Sequence, residues 1–288
     1  MIAISPSYKI KDQAFDVNLI AKYDLYLQLH INCLHLCVFD TEENQCILFE
    51  SYDFSGVERT ASLLDCLKGI WENNHLLTAG AWHKVVCMNV NRDFVFIPYE
   101  HYNEEAAINY LMLNAEFDKD KHELHQIKHY ELDTVCYFPV NNALEDWLNE
   151  QYKNIAIQHT HLNSCFLQGL LANEEDELSI SIHPELFSIG FLETRKIKFI
   201  NTFPYSSADD ILYFVLFVMD ELGLSAATTS VTVWSIEDDI DHIRGLLKTY
   251  ISNVKIGYRP ANLNFPDSFD ALPKHHSFDL FSAYYLLR

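Results

Sequence analysis

Glycine and proline are scarce, with eight of each among 288 residues. That excludes collagen-like, linker-dominated and low-complexity chains. Charged residues make up 21% and are spread thinly, so most of the chain is expected to be ordered. Basic residues are outnumbered, 20 Lys and Arg against 41 Asp and Glu, for a formal net charge of -21. A phosphate backbone would be repelled, and no Lys/Arg cluster offers a local exception, so no nucleic-acid partner is expected. The same charge opposes docking on anionic lipid. No apolar run reaches the roughly 20 residues that span a bilayer. The longest, Ile211 to Met219, makes about two helical turns, so no direct membrane insertion is expected. The start, MIAISPSYKIKDQAFD, lacks the basic-then-apolar order of a signal peptide. No Cys-x-x-Cys pair occurs among Cys33, Cys37, Cys46, Cys66, Cys87, Cys136 and Cys165. An odd number of unpaired thiols points to a reducing, cytoplasmic setting, with cysteine used as a small buried hydrophobe.

What is present is a hydrophobic content of 49%. At this length it supplies a large core and about two domains. The chain also repeats itself. A shift of 153 positions places Leu27 on Ile180, Leu29 on Ile182, His30 on His183, Leu34 on Phe187, Leu36 on Ile189 and Phe39 on Leu192. In each copy period-two alternation predicts strand, tight turn, strand, turn, strand. Thr41 to Gln45 makes one turn and Glu193 to Lys196 its equivalent. A helix follows: Glu58 to Trp71 in the first copy, about Ala208 to Leu222 in the second. In the second, Asp209 and Asp210 suit the first turn and Gly223 the end. Apolar strands come next, Val85 to Val90 and Ser230 to Trp234. The second copy continues with a helix from Ile240 to Ile251, a strand from Val254 to Tyr258 and a helix from Phe278 to Leu287.

The first copy carries an insertion over about 94–152. It is predicted to hold a short strand (FVFIP), a helix (Asn103 to Phe117), a strand pair around Leu124 to Val140 and a helix (Ala143 to Tyr152). The copy then resumes with strand Ile155 to Thr160 and a helix from Ser164 to Leu171. The fold class is therefore α/β: two mixed five-stranded sheets flanked by helices, with an inserted α+β subdomain in the first half. The halves are expected at 1–175 and 176–288.

Two ribonuclease-H-like units in tandem, with a subdomain inserted late in the first, resemble the actin-like ATPase superfamily. Within it the insertion is most similar to that of pilus-assembly and type II secretion platform proteins and the division protein they resemble. The chain is also similar to an uncharacterised bacterial family assigned to this fold. The resemblance covers nearly the whole chain and rests on element order and hydrophobic pattern.

It implies a phosphate site at the first turn of each half. There the family places an Asp-x-Gly motif, whose amides approach phosphates while the Asp orders Mg²⁺ and its waters. The matching turns read His30-Ile31-Asn32-Cys33 and His183-Pro184-Glu185-Leu186. His replaces Asp in both, Asn32 and Glu185 replace Gly, and Pro184 removes an amide donor. Both turns are shorter than a phosphate loop by about two residues. The family's adenosine-side Gly-Gly matches Val233-Trp234-Ser235-Ile236-Glu237, which has no Gly. His30, Asn32, His183, Glu185 and Ser235 are thus the candidate cleft residues, with no catalytic residue, no cofactor and no metal expected among them.

Other constellations have plainer readings. His30, Cys33, His35 and Cys37 look like a metal set. On a strand, however, residues i and i+4 lie about 13 Å apart, too far for one zinc ion. His122, His125 and His129 have helical spacing but are not His-Glu-x-x-His; the surrounding pattern also suits a strand, and the segment is expected to be solvated and charged. His159 and His161 could chelate weakly, and are expected to end a strand at an interdomain groove. No Gly-x-Ser-x-Gly elbow occurs. Asp209-Asp210 and Glu237-Asp238-Asp239 suit helix first turns. Neither first strand carries an Asp or Glu on its inner run, against a two-metal nuclease. Tyr-rich Phe278 to Tyr285 is expected in the core, a partner surface being the other reading.

These readings make the chain a non-catalytic binding or scaffold protein with a protein partner. The alternative is a divergent nucleotide-binding protein or weak ATPase that takes Mg²⁺·ATP in the cleft.

Overall fold

The structure, a computed structural model, describes residues 4–54, 63–174, 177–237 and 240–287. The chain packs as two compact units. One runs to Leu162 and takes in Asn262–Ala271; the other comprises Asn163–Ala261 and the segment from Leu272 onward.

The first unit holds strands β1 (Tyr8–Lys11), β2 (Tyr23–His30), β3 (Cys33–Asp40) and β4 (Gln45–Asp53). Helix α1 (Leu63–Asn73) and strand β5 (Lys84–Asn89) follow. Residues 58–62 of the helix expected from Glu58 lie outside the described residues. The insertion gives β6 (Val95–Pro98), α2 (Ala107–Leu111), β7 (His122–His129), β8 (Thr134–Asn141) and α3 (Asn142–Gln151). Strand β9 (Ile157–His161) and helix α4 (Leu162–Ala172) end the first copy.

The main sheet of this unit runs β1-β4-β3-β2-β5-β9, with β2, β5 and β9 parallel and the rest antiparallel. It has six strands where five were expected, because β1 pairs along β4 from Tyr8↔Ser51 to Lys11↔Leu48. Four residues of YKIK carry too short an alternation to announce a strand. Leu25, Leu27 and Leu29 of β2 and Leu34, Leu36 and Val38 of β3 share one face, covered by α1 and α3. Trp71 meets Trp147 edge to face at 5.0 Å there, and Tyr152 donates to the Leu77 carbonyl at 2.9 Å. A late segment completes this unit: Asn264 accepts from the Cys46 amide at 3.0 Å and donates to the Asn44 carbonyl at 2.9 Å, and Ser268 donates to Asp12 at 2.9 Å.

The inserted three-stranded sheet runs β6-β8-β7, all antiparallel. Ile97, Ala107, Val135 and Tyr137 form its own core. The helix expected over Asn103–Phe117 shrinks to a 3-10 turn at Glu104–Ala106 and the five residues of α2. Met112 and Leu113 are exposed, and the Asn114 side chain donates to the Phe94 carbonyl at 3.0 Å.

The second unit contains β10 (Leu178–His183), β11 (Leu186–Glu193), β12 (Lys196–Pro204), α5 (Ala208–Glu221), β13 (Ser230–Ser235), α6 (Asp241–Lys248), β14 (Asn253–Ile256) and α7 (Phe278–Leu286). Its five-stranded sheet runs β12-β11-β10-β13-β14. Helix α5 is opened by a capping box in which Ser207 and Asp210 satisfy each other's backbone. It is closed by Gly223 at φ +65°, the left-handed position where glycine avoids a Cβ clash. Ile180, Ile182, Val231 and Val233 face α5 and α6. On the other face Trp234 stacks on Phe278 at 4.3 Å and meets Phe166 edge-on at 6.1 Å. By element order α4 closes the first copy; by packing it belongs to the second unit.

The duplication extends to detail. β3 and β11 coincide at both ends under the 153-position shift, and each loses register at the same place, between Val38 and Phe39 and between Phe191 and Leu192.

Candidate functional site

In the first unit, Ile31 and Asn32 are the two turn residues between β2 and β3. His30 is buried, and its Nδ1 accepts from the Asn32 amide at 3.1 Å. The Asn32 carbonyl accepts from the Phe54 amide at 2.9 Å. Both backbone groups of Asn32 are therefore engaged within the unit. Asp24 sits at the far end of β2, about six residues or 20 Å from this turn. It is buried and held by His83 at 2.7 Å and Lys84 at 3.9 Å.

In the second unit, Pro184 and Glu185 turn the chain between β10 and β11. Glu185 adopts φ +64° and its carbonyl accepts from Tyr205 at 3.1 Å. Proline first and a positive φ second is the type II pattern, which favours glycine where Glu185 stands. His183 is fully buried. Its Nε2 stands 2.9 Å from Asp279 Oδ2 and 3.2 Å from Ser181 Oγ, and Ser181 donates to the same carboxylate oxygen at 2.5 Å.

Ser, His and Asp in contact invite a reading as a nucleophilic relay. Such a relay needs the imidazole between its partners, one ring nitrogen on each. Here Ser181 and Asp279 share one nitrogen, and all three side chains are buried. The trio is a clasp between β10 and α7. Ser235 lies beside it on β13. Its carbonyl meets His275 Nδ1 at 3.1 Å and its hydroxyl accepts from the Glu237 amide at 2.9 Å. Next to it, burial and the charges of His275, His183 and Arg259 push the His276 imidazole down to about 3. So His30 and Asn32 meet in one unit, and His183 and Ser235 flank one polar cluster in the other.

The remaining constellations sort as follows. Cys33, His35 and Cys37 are buried along β3, as strand packing requires. None of the seven cysteines forms a disulfide, and all are buried. The segment from His122 to His129 is strand β7, within the strand pair expected around Leu124 to Val140; the solvated reading fails at His129, which is buried, and burial lowers its imidazole to about 4. His159 and His161 end β9, both buried. His161 meets Asn91 Oδ1 at 3.2 Å. Asp210 caps α5 as expected, whereas Asp238 and Asp239 lie outside the described residues. Phe278 to Tyr284 are core. Among the described residues no helix is long and apolar enough to cross a membrane.

The profile of a family described as "Protein of unknown function (DUF3822)" matches residues 12–254. The chain belongs to that family. No curated protein matches the sequence. Among solved structures, this DUF3822 chain is similar to a Bacteroides thetaiotaomicron protein with actin-like ATPase fold and unknown function. The TM-score is 0.75 at 18% identity, over 90% of this chain and 98% of that one. It is also similar to a chain of the PilM-PilN type IV pilus biogenesis complex, with TM-score 0.60 at 11% identity, over 92% and 98%. At such identities the likeness is one of fold: the chain has the actin-like ATPase fold.

Sequence reasoning missed one feature of this DUF3822 chain. A cavity of about 530 Å³ opens in the first unit, lined by Lys9, Phe15, Glu50, Tyr52, Ile70 and Asn74 among others. The buried Glu50 carboxylate takes Tyr52 Oη and Asn74 Nδ2 at 2.6 Å each and Lys9 Nζ at 3.0 Å. Burial, then Glu50, pushes the Tyr52 phenol up. None of the five candidate residues lines this cavity. Lys9 comes from β1, the strand the sequence did not disclose.

Proposed function

We propose that this chain is a non-catalytic binding protein in a reducing, cytoplasmic setting, recruiting a protein partner on an actin-like fold whose phosphate turns have degenerated. The observation that carries the reading is an asymmetry between the two copies. In the first sheet the third meander strand, β4, is covered by β1 of the same chain. In the second sheet its counterpart, β12, is the edge strand. An edge strand offers unpaired backbone groups to an incoming strand. Phe199 and Phe203 on β12 are partly buried and stack with each other at 6.4 Å, and Phe203 stacks with Phe214 of α5 at 4.5 Å. Tyr213 and Phe217, exposed on α5, extend the aromatic strip. Aromatic residues at a partly open edge suit a protein partner. The fold shared with a chain of the PilM-PilN complex supports the same reading.

On this reading the residues do not fit ATP and Mg²⁺. The Asn32 amide is engaged by His30, Pro184 has no amide hydrogen, and His183 is locked into the clasp with Ser181 and Asp279. A backbone cradle for phosphate needs free amides pointing outward.

Two measurements test the two halves of the proposal. Millimolar Mg²⁺·ATP should leave the thermal midpoint unchanged. A ligand at 100 times its Kd would raise it by roughly 5–8 °C in a chain of this size; such a rise, absent with AMP, would overturn the degenerate-site reading. For the partner, a photo-crosslinking residue replaces Lys198 on β12 or, as a control, exposed Tyr250 beyond α6. A discrete adduct from position 198 and none from 250 is expected in cells of the source organism. Equal labelling, or none, would remove the support for recruitment at this edge.

A further inference from the structure

Three side chains from separate elements of the first unit converge outside the turns discussed above. His125 stands in the middle of β7, opposite Phe138 of β8, whose ring it stacks on at 6.0 Å. Glu145 occupies the first turn of α3, whose start is fixed by Asn141 accepting from the Leu144 amide at 3.2 Å. His159 projects from β9, the edge strand of the six-stranded sheet. His125 Nε2 lies 3.2 Å from Glu145 Oε2, His159 Nε2 lies 3.8 Å from Glu145 Oε1, and the two imidazole centroids are 4.7 Å apart. One donor atom from each residue falls within 4.8 Å of the others.

A hydrogen-bonded cluster would account for His125 and Glu145 but not for His159. Its side chain is 2% exposed. Nδ1 has no hydrogen-bond partner, and Nε2 at 3.8 Å is beyond hydrogen-bond reach of the carboxylate. A buried ring nitrogen with no partner is costly and uncommon.

We infer that His125, Glu145 and His159 form a binding site for one zinc-class divalent metal ion. Two imidazole nitrogens and a carboxylate oxygen are a zinc donor set. Mg²⁺ and Ca²⁺ take oxygen donors and are disfavoured. Around a tetrahedral ion with bonds near 2.1 Å, donors sit about 3.4 Å apart; here His125 is 3.2 Å from one Glu145 oxygen, His159 is 3.8 Å from the other, and one donor from each residue lies within 4.8 Å of the rest. The Glu145 and His125 side chains are about one-fifth exposed, so they have room to turn toward a common centre. That exposure leaves a fourth position open to water. The ion would fasten the inserted sheet and α3 to the edge of the main sheet, three elements joined through single side chains.

The test uses the full chain stripped of metal, titrated with Zn²⁺ against a chromophoric chelator. One equivalent should bind, and it should raise the thermal midpoint in an EDTA-reversible way. His125→Ala and Glu145→Gln should each weaken binding by at least about tenfold, since even residues behind the ligands cost that much. Glu145→Gln keeps shape and serves if His125→Ala or His159→Ala folds poorly. His122→Ala, on the same strand, should leave the affinity unchanged. Co²⁺ in place of zinc should give visible absorption lost in both ligand variants. Zinc uptake that is equal in wild type, His125→Ala and Glu145→Gln would mean surface histidines only, and would overturn the site, as would no uptake at all.

Discussion

Asp279→Ala should lower the stability of the protein by about 3–5 kcal/mol, the cost of removing one member of a buried polar pair. The carboxylate is the shared acceptor for Ser181 Oγ at 2.5 Å and His183 Nε2 at 2.9 Å. All three groups are sealed from water. Truncation leaves a buried hydroxyl and a buried imidazole each short of a partner, and each unmet group costs about 1–3 kcal/mol. Denaturant unfolding of the variant checks the value, with the midpoint expected to move and the slope to hold. Asp279→Asn keeps one oxygen acceptor and should cost less. If Asp279→Ala were as stable as wild type, the clasp would have no structural weight, and His183 would again be available for other chemistry.

Two identical substitutions in two helices should have opposite signs. Gly245 lies in α6 with nothing within 4 Å of the place a Cβ would occupy. Gly245→Ala should stabilise by up to about 1 kcal/mol, the helix-propensity difference. Gly169 lies in α4, where the same Cβ would stand 2.2 Å from Ser282 Oγ and 2.7 Å from the Phe278 ring. Phe278 cannot retreat, because it is stacked on Trp234. Gly169→Ala should destabilise by roughly 1–3 kcal/mol, as overpacking does. Thermal melts of the two variants side by side decide the matter. A stabilising Gly169→Ala would mean that α4 and α7 are not packed through this residue.

The duplicated strands were legible because each is half of a period-two pattern long enough to be counted. The ends of β3 and β11 agree under the shift, and helix α5 announces itself through Asp209, Asp210 and Gly223. What failed to show in the sequence depends on partners far along the chain. β1 is a strand only because β4 lies beside it. The strand pair around Leu124 to Val140 was legible; what was not is that pairing with β8 buries His129, although the histidine spacing taken alone suits a helix. The Asn103–Phe117 helix was over-read, since apolar Met112 and Leu113 continue the pattern without facing a core. The candidate turns fell where expected as two-residue hairpins, but the clasp joins Ser181 and His183 to an Asp that lies 96 positions from the histidine. His125 and His159 each stood out in the sequence within separate histidine groups, but only the fold joins them to each other and to Glu145 across three elements.

The segment around Asn264 gives the chain an unusual biosynthetic order. Cys46 and Asn44 leave the ribosome early, yet their backbone partner Asn264 follows some 218 residues behind Cys46 (264 − 46). At about 5–20 residues per second, that edge of the first unit waits roughly 10–40 s while the entire second sheet is made. During that interval the incomplete rim is open to chaperones or to a neighbouring nascent chain. A truncation that keeps only the N-terminal part would hold the molecule in that state permanently.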